Sequence, residues 1–447
     1  MLKKTFSIIF ICFFAFLYVF TPITASAYEV TGLDITAKAG MLVSLDTDEI
    51  LYENNIDKKV YPASITKIMT AVLMLESDKW DPKAKVKINK ACLDVVLGTG
   101  LSVSLLSEGE EFTQLDLLYT VLVSSYGDCT YLAAELFGGS YDNFVKMMND
   151  KAAELGLSGT HYSNPVGLHE EETYTTARDT YTLTKYALQY ELFKTVTSTS
   201  RYRFTTTKGT QRTLSTTNFL LDKNTNYWYQ YAGGVKTGYT DIAGRCLVST
   251  ASYNGYNYMC ILFGCTNSPS KRYDFVETKE LYRWAFNNFS YKEVADSDEP
   301  VCEIPVELST ETDFVPLYFK KPFVTILPNG ADDSTLVMKN TFVSETVDAP
   351  IKKGDVLGYS EIYYAEKIIG KVDLVAGNDV EKSFWLSVVR HIENFFTSSY
   401  MKIIYIVIAL VVVGFLLLCI YLNRGKKKRK VKYIPYEPAE KRNDKNK

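Results

Sequence analysis

Apolar and polar positions alternate along the chain with two periods, and the change from one to the other sketches the fold. Between Ala39 and Tyr52 the runs Met41-Leu42-Val43-Ser44 and Ile50-Leu51-Tyr52 flank the polar Asp46-Thr47-Asp48-Glu49, the pattern of a two-stranded hairpin. A helical period follows, with Ile68, Met69, Val72, Leu73 and Leu75 covering a wide apolar face, so a helix starting at Ser64 belongs in a core. Helices are predicted over Leu115–Val123, Thr130–Phe137, Phe144–Leu155, Thr175–Leu188 and Leu281–Phe289, and loops with short strands over 83–112. Strand character marks Arg203-Phe204-Thr205-Thr206, then a run carrying Lys236, Arg245–Thr250 and Tyr256–Gly264. Helices alternating with an antiparallel sheet over residues 30 to 290 indicate an α+β layered domain.

Beyond Ser290 the pattern changes. Asp296-Ser297-Asp298-Glu299-Pro300 reads as a linker, and short apolar runs at 323–327, 335–338 and 368–372 predict a small β-rich domain over 291–378. Residues 379–402 form a bridge whose Phe384, Trp385, Phe395 and Phe396 suit a membrane interface. Residues 403–422 are apolar without a charge, long enough to cross a bilayer. The basic run from Arg424 to Lys430 follows directly, so the positive-inside rule puts residues 423–447 in the cytoplasm and the body outside. At the other end, Lys3 and Lys4, the apolar run Ile8–Phe20 and Ala25-Ser26-Ala27 fit a cleavable secretory signal over 1–27, leaving a first domain over 28–290.

Composition adds bounds on chemistry. The 447 residues are 47% hydrophobic and carry a formal charge of −3. The last 25 hold 11 basic and 3 acidic side chains and the first 27 hold two lysines, so the body between carries about −13, which argues against nucleic acid as a partner. The eight cysteines show no C-x-x-C spacing, and those of the body read as mostly small buried hydrophobes. His161, His169 and His391 are scattered, which leaves no metal motif, and no glycine-rich phosphate loop or other cofactor signature is present.

The candidate chemistry sits at the start of the first core helix. Ser64 and Lys67 are three residues apart, on one helical face, where a lysine amine of lowered pKa takes the proton of a serine nucleophile. The same spacing recurs at Ser268/Lys271 and Ser399/Lys402, so spacing alone does not select a site. Ser124-Ser125-Tyr126-Gly127-Asp128 interrupts a helical run and can aim a serine into a cleft. Gly233–Thr240 places Lys236 on a strand with Gly238 where something approaches the backbone closely.

Ser64-x-x-Lys67, Ser125 and Lys236-Thr237-Gly238 stand in the order of the serine penicillin-binding enzymes. The chain most resembles the low-molecular-weight D-alanyl-D-alanine carboxypeptidases over residues 30–376. Pro62–Thr70, Asn164-Pro165-Val166-Gly167-Leu168, Thr176-Ala177-Arg178-Asp179, Thr217-Asn218-Phe219-Leu220 and Gly234–Thr240 carry the resemblance. It implies the transpeptidase fold shared with serine β-lactamases, then a small all-β domain and the membrane helix. It also implies a peptidoglycan stem peptide as substrate and β-lactam antibiotics as ligands. By the resemblance, Ser64 is the nucleophile, Lys67 the base and Ser125 the proton relay; the backbone N–H groups of Ser64 and Tyr239 form the oxyanion hole, and Lys236, Thr237 and Arg272 hold the substrate carboxylate. One position departs from the pattern: relatives usually read Ser-x-Asn where this chain has Ser125-Tyr126-Gly127. Two alternatives stand beside this reading. A β-lactamase shares the motifs, although no E-x-x-L-N loop occurs between Ser125 and Lys236, and Gly127 admits a binding protein that kept the fold without the activity.

Overall fold

The computed structural model describes Tyr28 and residues 32–424. The segments read as a signal and most of the basic tail lie outside the described residues. The described chain forms two units, one built from residues up to 296 with 321–340 and 360–372, the other from 297–320, 341–359 and 373 onward. These units cut the β-rich part differently from the single 291–378 segment expected above.

In chain order, the hairpin β1 (Ala39–Ser44) and β2 (Ile50–Asn54) leads through a 3-10 turn, Ala63–Thr66, into α1 (Lys67–Glu76). Next come β3 (Lys85–Lys87), α2 (Lys90–Asp94), β4 (Glu111–Thr113) and α3 (Gln114–Leu122). Four helices follow: α4 (Gly127–Gly138), α5 (Tyr141–Glu154), α6 (Ala177–Ala187) and α7 (Glu191–Thr197). The hairpin β5 (Arg201–Thr205) and β6 (Gln211–Ser215) precedes β7 (Ala232–Thr240), β8 (Gly244–Tyr253), β9 (Tyr256–Cys265), α8 (Tyr273–Asn288) and β10 (Phe289–Ala295).

One antiparallel sheet, ordered β2-β1-β9-β8-β7, organises the larger unit. It is buried on both faces, and its side chains show the two-residue period that a pleated strand imposes. Met41, Val43, Val248, Met259, Ile261 and Phe263 face one cluster with Ile68, Met69 and Val72 of α1. Leu42, Leu247, Tyr258, Cys260 and Leu262 face the other, against Phe275, Leu281 and Tyr282 of α8. Helix α8 begins eight residues before the expected Leu281, because its first turns bury the charged Asp274 and Glu277 beside Phe275 and Thr278 and so show little helical period in hydrophobicity alone. Thr113 starts α3 with a reciprocal cap: its hydroxyl accepts from the Asp116 amide at 3.1 Å, and Asp116 accepts from the Thr113 amide at 2.9 Å. Cys92, Cys129, Cys246, Cys260 and Cys265 are free and buried, as expected of small hydrophobes.

In the smaller unit, β11 (Pro300–Glu307) pairs antiparallel with β12 (Phe314–Phe319) and parallel with Val347–Asp348. Residues 317–319 also pair with 374–376. The bridge forms a helix, α9 (Phe384–Thr397), with Phe384, Trp385, Val389, Ile392, Phe395 and Phe396 exposed. Its aromatic pairs predict a membrane interface, and the structure adds that they lie on a helix. Helix α10 (Ser399–Arg424) is the one described helix long and apolar enough to cross a membrane.

Candidate active site

The 3-10 turn before α1 presents Ser64 half-buried, with Ala63 held in the left-handed region at φ +47°. Such a conformation disfavours a residue with a Cβ and persists where surrounding contacts fix it. The helix proper begins at Lys67, three residues later than the expected Ser64, so the nucleophile candidate lies in the tighter turn and the base candidate in the first α-helical position. Lys67 Nζ lies 2.8 Å from Ser64 Oγ and donates to the Val166 carbonyl oxygen at 2.9 Å. Lys67 is fully buried. Burial drives its pKa well below the usual lysine value, the positive charge of Lys236 lowers it further, and the Asp128 carboxylate partly opposes both. A neutral amine facing a serine hydroxyl is the arrangement a general base requires. The other two Ser-x-x-Lys pairs make no such contact: Lys271 and Lys402 are exposed, and Ser268 pairs with Ser270 instead.

The Val166 carbonyl is aimed by the loop around it. Asn164 Oδ1 accepts from the amides of Val166, Gly167 and Leu168 at 3.2, 2.8 and 3.0 Å, and its Nδ2 donates to the Leu168 carbonyl. Thr70 Oγ1 donates to the Pro165 carbonyl, fastening this loop to α1. Gly167 packs so tightly against the nucleophile turn that a Cβ there would stand 1.9 Å from the Ala63 carbonyl oxygen, at φ +82°. Gly167→Ala is expected to cost ~3 kcal/mol or more through strain and overlap. That corresponds to a Tm lower by about 6–12 °C, which calorimetry checks; an unchanged Tm refutes the close packing.

Ser125 occupies the break between α3 and α4 at φ +60°, and the buried Lys236 donates to its Oγ at 2.9 Å and to the Thr237 carbonyl at 3.0 Å. Burial lowers the Lys236 pKa to about 7. Thr237 Oγ1 donates to Thr217 Oγ1 at 2.6 Å. Gly238 lets β7 close on the nucleophile turn, since a Cβ at this position would lie 2.9 Å from the Pro62 carbonyl oxygen and 3.2 Å from the Ser64 amide nitrogen. The outer edge of β7 is unpaired in its sheet among the described residues, which leaves backbone groups beside Ser64 for an extended ligand. Tyr239 follows on the same strand, its hydroxyl donating to Asp241 at 2.6 Å.

Ser64, Lys67, Ser125, Lys236, Thr237 and Gly238 therefore form one connected cluster. Arg272 is differently engaged. It forms a two-pronged ion pair with the fully buried Asp274, Nε at 2.9 Å and Nη2 at 2.6 Å, and its guanidinium lies 4.3 Å from the Phe275 ring centre. Arg245, on β8 opposite Tyr239, lies over the Tyr239 ring at 4.1 Å and feels the charge of Arg272, so two guanidinium groups stand near this end of β7. The sequence reading missed Arg245, whose signal would have been its register opposite Tyr239, and Asp128. The latter is fully buried one residue beyond Gly127, and accepts from the Ser104 amide and hydroxyl and from the Cys129 amide.

Gly127 has a steric explanation. A Cβ there would lie 2.8 Å from Leu101 Cδ1, 3.1 Å from Leu101 Cβ and 3.3 Å from Val96 Cγ1, and the Gly127 amide donates to the Ser102 carbonyl at 2.8 Å. Leu101 fills the place where a longer side chain at this position would start. No periodicity announces Leu101, which comes from an irregular loop.

Known proteins are similar to this chain in sequence and fold. The family model of D-alanyl-D-alanine carboxypeptidases matches residues 24–267, and that of the penicillin-binding protein 5 C-terminal domain matches 289–382. The D-alanyl-D-alanine carboxypeptidase DacF of Bacillus subtilis is 30% identical over 355 residues, 79% of this chain and 88% of the relative. The solved penicillin-binding protein 5 of Haemophilus influenzae superposes with a TM-score of 0.63 at 28% identity, covering 79% of this chain and 100% of that one. A Streptomyces DD-transpeptidase superposes with a TM-score of 0.54 at 30% identity, over 58% of this chain and 100% of its own.

Proposed function

The chain belongs to the D-alanyl-D-alanine carboxypeptidase family of serine peptidases, and from that premise we propose that it removes the terminal D-alanine of peptidoglycan stem pentapeptides through an acyl-enzyme on Ser64. The observation that carries this reading is the buried Lys67 amine 2.8 Å from the Ser64 hydroxyl. Ser64 Oγ attacks the carbonyl carbon of the penultimate D-alanine while its proton passes to neutral Lys67. The charge that develops on the carbonyl oxygen faces the backbone N–H groups of Ser64 and Tyr239. The C–N bond breaks, the departing D-alanine takes a proton by way of Ser125, and water then hydrolyses the ester. Lys236 and Thr237 hold the terminal carboxylate. Arg272 acts there through its field, because its fork is already filled by Asp274. Penicillin acylates the same serine. The match of residues 289–382 to a C-terminal domain model supports a separate β-rich domain over about 291–378, α10 supports a single-pass anchor, and the basic run after it in the sequence supports an enzyme on the outer side.

Purified protein given a pentapeptide ending in D-Ala-D-Ala should release one equivalent of D-alanine per peptide. A folded protein that binds penicillin and releases none refutes the reading, and rapid turnover of a cephalosporin favours the β-lactamase alternative.

The pH dependence follows from the two lysines. Acylation needs Lys67 without its proton, so kcat/KM rises as pH climbs through its lowered pKa. It needs Lys236 charged to meet a carboxylate, so kcat/KM falls as the free enzyme passes about pH 7. Lys236→Arg, whose charge persists, should remove the falling limb while lowering the maximum; a falling limb that stays in place assigns it to another group.

A further inference from the structure

A cavity of about 300 Å³ opens between the segment Lys58-Lys59-Val60-Tyr61 and the turn Ile242–Ala243, with Lys38, Tyr174 and Gly264 completing its walls. It adjoins the reaction centre along the chain on both sides: Tyr61 precedes Ser64 by three residues, and Ile242 follows Tyr239 by three, just past the end of β7. None of the residues lining it takes a direct part in the chemistry proposed above.

The charge of this cavity is out of keeping with the protein around it. Lys38, Lys58 and Lys59 face one acid, Glu171, a local surplus of two positive charges on a body of about −13. Among the described residues none of the three lysines forms an ion pair, as is also true of Lys83, Lys85 and Lys271, so their ammonium groups are available to a ligand. Two of the three are also held in place. The Lys59 ammonium sits 3.8 Å from the centre of the Tyr174 ring. Gly264 leaves the room in which the Lys38 stem lies, because a Cβ there would come within 2.9 to 3.1 Å of Lys38 Cδ, Cγ and Cβ. Long side chains fixed by packing lose less freedom when they bind a ligand than ones that swing.

We propose that this cavity is a subsite for a side-chain carboxylate on the peptide residue preceding the D-Ala-D-Ala pair, an inference that rests on the carboxypeptidase reading of Ser64. A peptide stretched along the free edge of β7 advances ~3.3 Å per residue. With its acyl carbonyl at Ser64, its preceding residue lies along Tyr239 and Thr240, and a side chain of three or four bonds from there spans to the turn at Ile242. An anionic end enters between ammonium groups that have no acid partner, and its aliphatic stem lies between Tyr61 and Ile242. A neutral side chain has the same apolar contact without the charge.

The test compares two N-acetylated tripeptides X-D-Ala-D-Ala on the full chain in detergent, X being α-aminoadipate with a free side-chain carboxylate or the same residue as its carboxamide. The carboxylate peptide should have a kcat/KM about tenfold higher, mainly through KM, and the preference should shrink in 0.5 M salt. In Lys38→Ala/Lys59→Ala the two peptides should become equal, with the carboxamide peptide hydrolysed as in the wild type. Equal rates in the wild type, or a preference that survives in the variant, overturn the subsite. If neither peptide is hydrolysed, the carboxypeptidase reading is what fails, and protection of Ser64 from labelled penicillin still decides the cavity. The carboxylate peptide should then protect at about tenfold lower concentration than the carboxamide, and equal protection overturns the proposal.

Discussion

Ser64→Ala should attach no labelled penicillin and should release D-alanine at a rate lower by on the order of 10⁴-fold or more, and Lys67→Met should fall as far with Ser64 in place. The two losses are of similar size because nucleophile and base act as one unit: without the amine 2.8 Å away, the hydroxyl keeps its proton at neutral pH. The stability of the two variants separates them. Lys67 is fully buried and its pKa is driven far below the usual lysine value, so folding holds it in a form the unfolded chain does not favour. Between the folded pKa and the unfolded value of ~10.4 the unfolded state binds more protons. Stability arising from this group therefore increases as pH rises through that window, and its cost is greatest at the acid end. Lys67→Met removes the cost. The variant should melt higher than the wild type at pH 7, with the gain shrinking toward pH 10, whereas Ser64→Ala should show no such trend. A Lys67→Met protein that labels normally with penicillin, or one whose extra stability does not depend on pH, would contradict the assignment of a neutral buried base.

Most of the scaffold was legible because hydrophobic period is a local signal. The near-continuous apolar runs of β1, β8 and β9 and the wide apolar face of α1 are written residue by residue, and a sheet covered on both faces buries what the pattern marks. What was not legible depends on residues distant in sequence. Ser64 and Lys67 can be picked out by spacing, yet two other pairs have that spacing, and Lys67 differs from Lys271 and Lys402 only because the Val166 carbonyl, Lys236 and Asp128 converge on it. Arg272 has the right chain position for a carboxylate clamp, and what order along the chain does not reveal is that Asp274, two residues on, occupies both prongs of its fork. Helix α9 needs no distant residue to be read: Phe384, Trp385, Val389, Ile392, Phe395 and Phe396 recur at helical spacing in the sequence itself, and reading them only as interface aromatics passes over that period.

The Ser125-Tyr126-Gly127 segment leads to the second large expectation, which runs against intuition: Gly127→Asn, restoring the residue usual in relatives, should lower the acylation rate of Ser64 by penicillin at least tenfold. The new Cβ would stand 2.8 Å from Leu101 Cδ1 and 3.1 Å from Leu101 Cβ. The terminal methyl can rotate away, but the Cβ moves only with the backbone, and that backbone is tied to the same place by the Gly127 amide bonded to the Ser102 carbonyl. Overpacking of this kind typically costs 1–3 kcal/mol. Here the shift is delivered at α4's first residue, two positions from Ser125, whose hydroxyl must stay within reach of Lys236 at 2.9 Å. The strain has a specific remedy. Leu101→Ala removes the nearest atom, so Gly127→Asn/Leu101→Ala should recover to within about threefold of wild type, although Leu101→Ala alone opens space beside the site and is itself slower. A gain in rate on adding Asn alone, or a double variant no better than Gly127→Asn, would mean that Leu101 does not occupy the place of the missing carboxamide. The expected sign of the double-variant cycle is a favourable coupling between positions 101 and 127, because two neighbours that share one volume are not additive. Such coupling would make the glycine one half of a repacked pair.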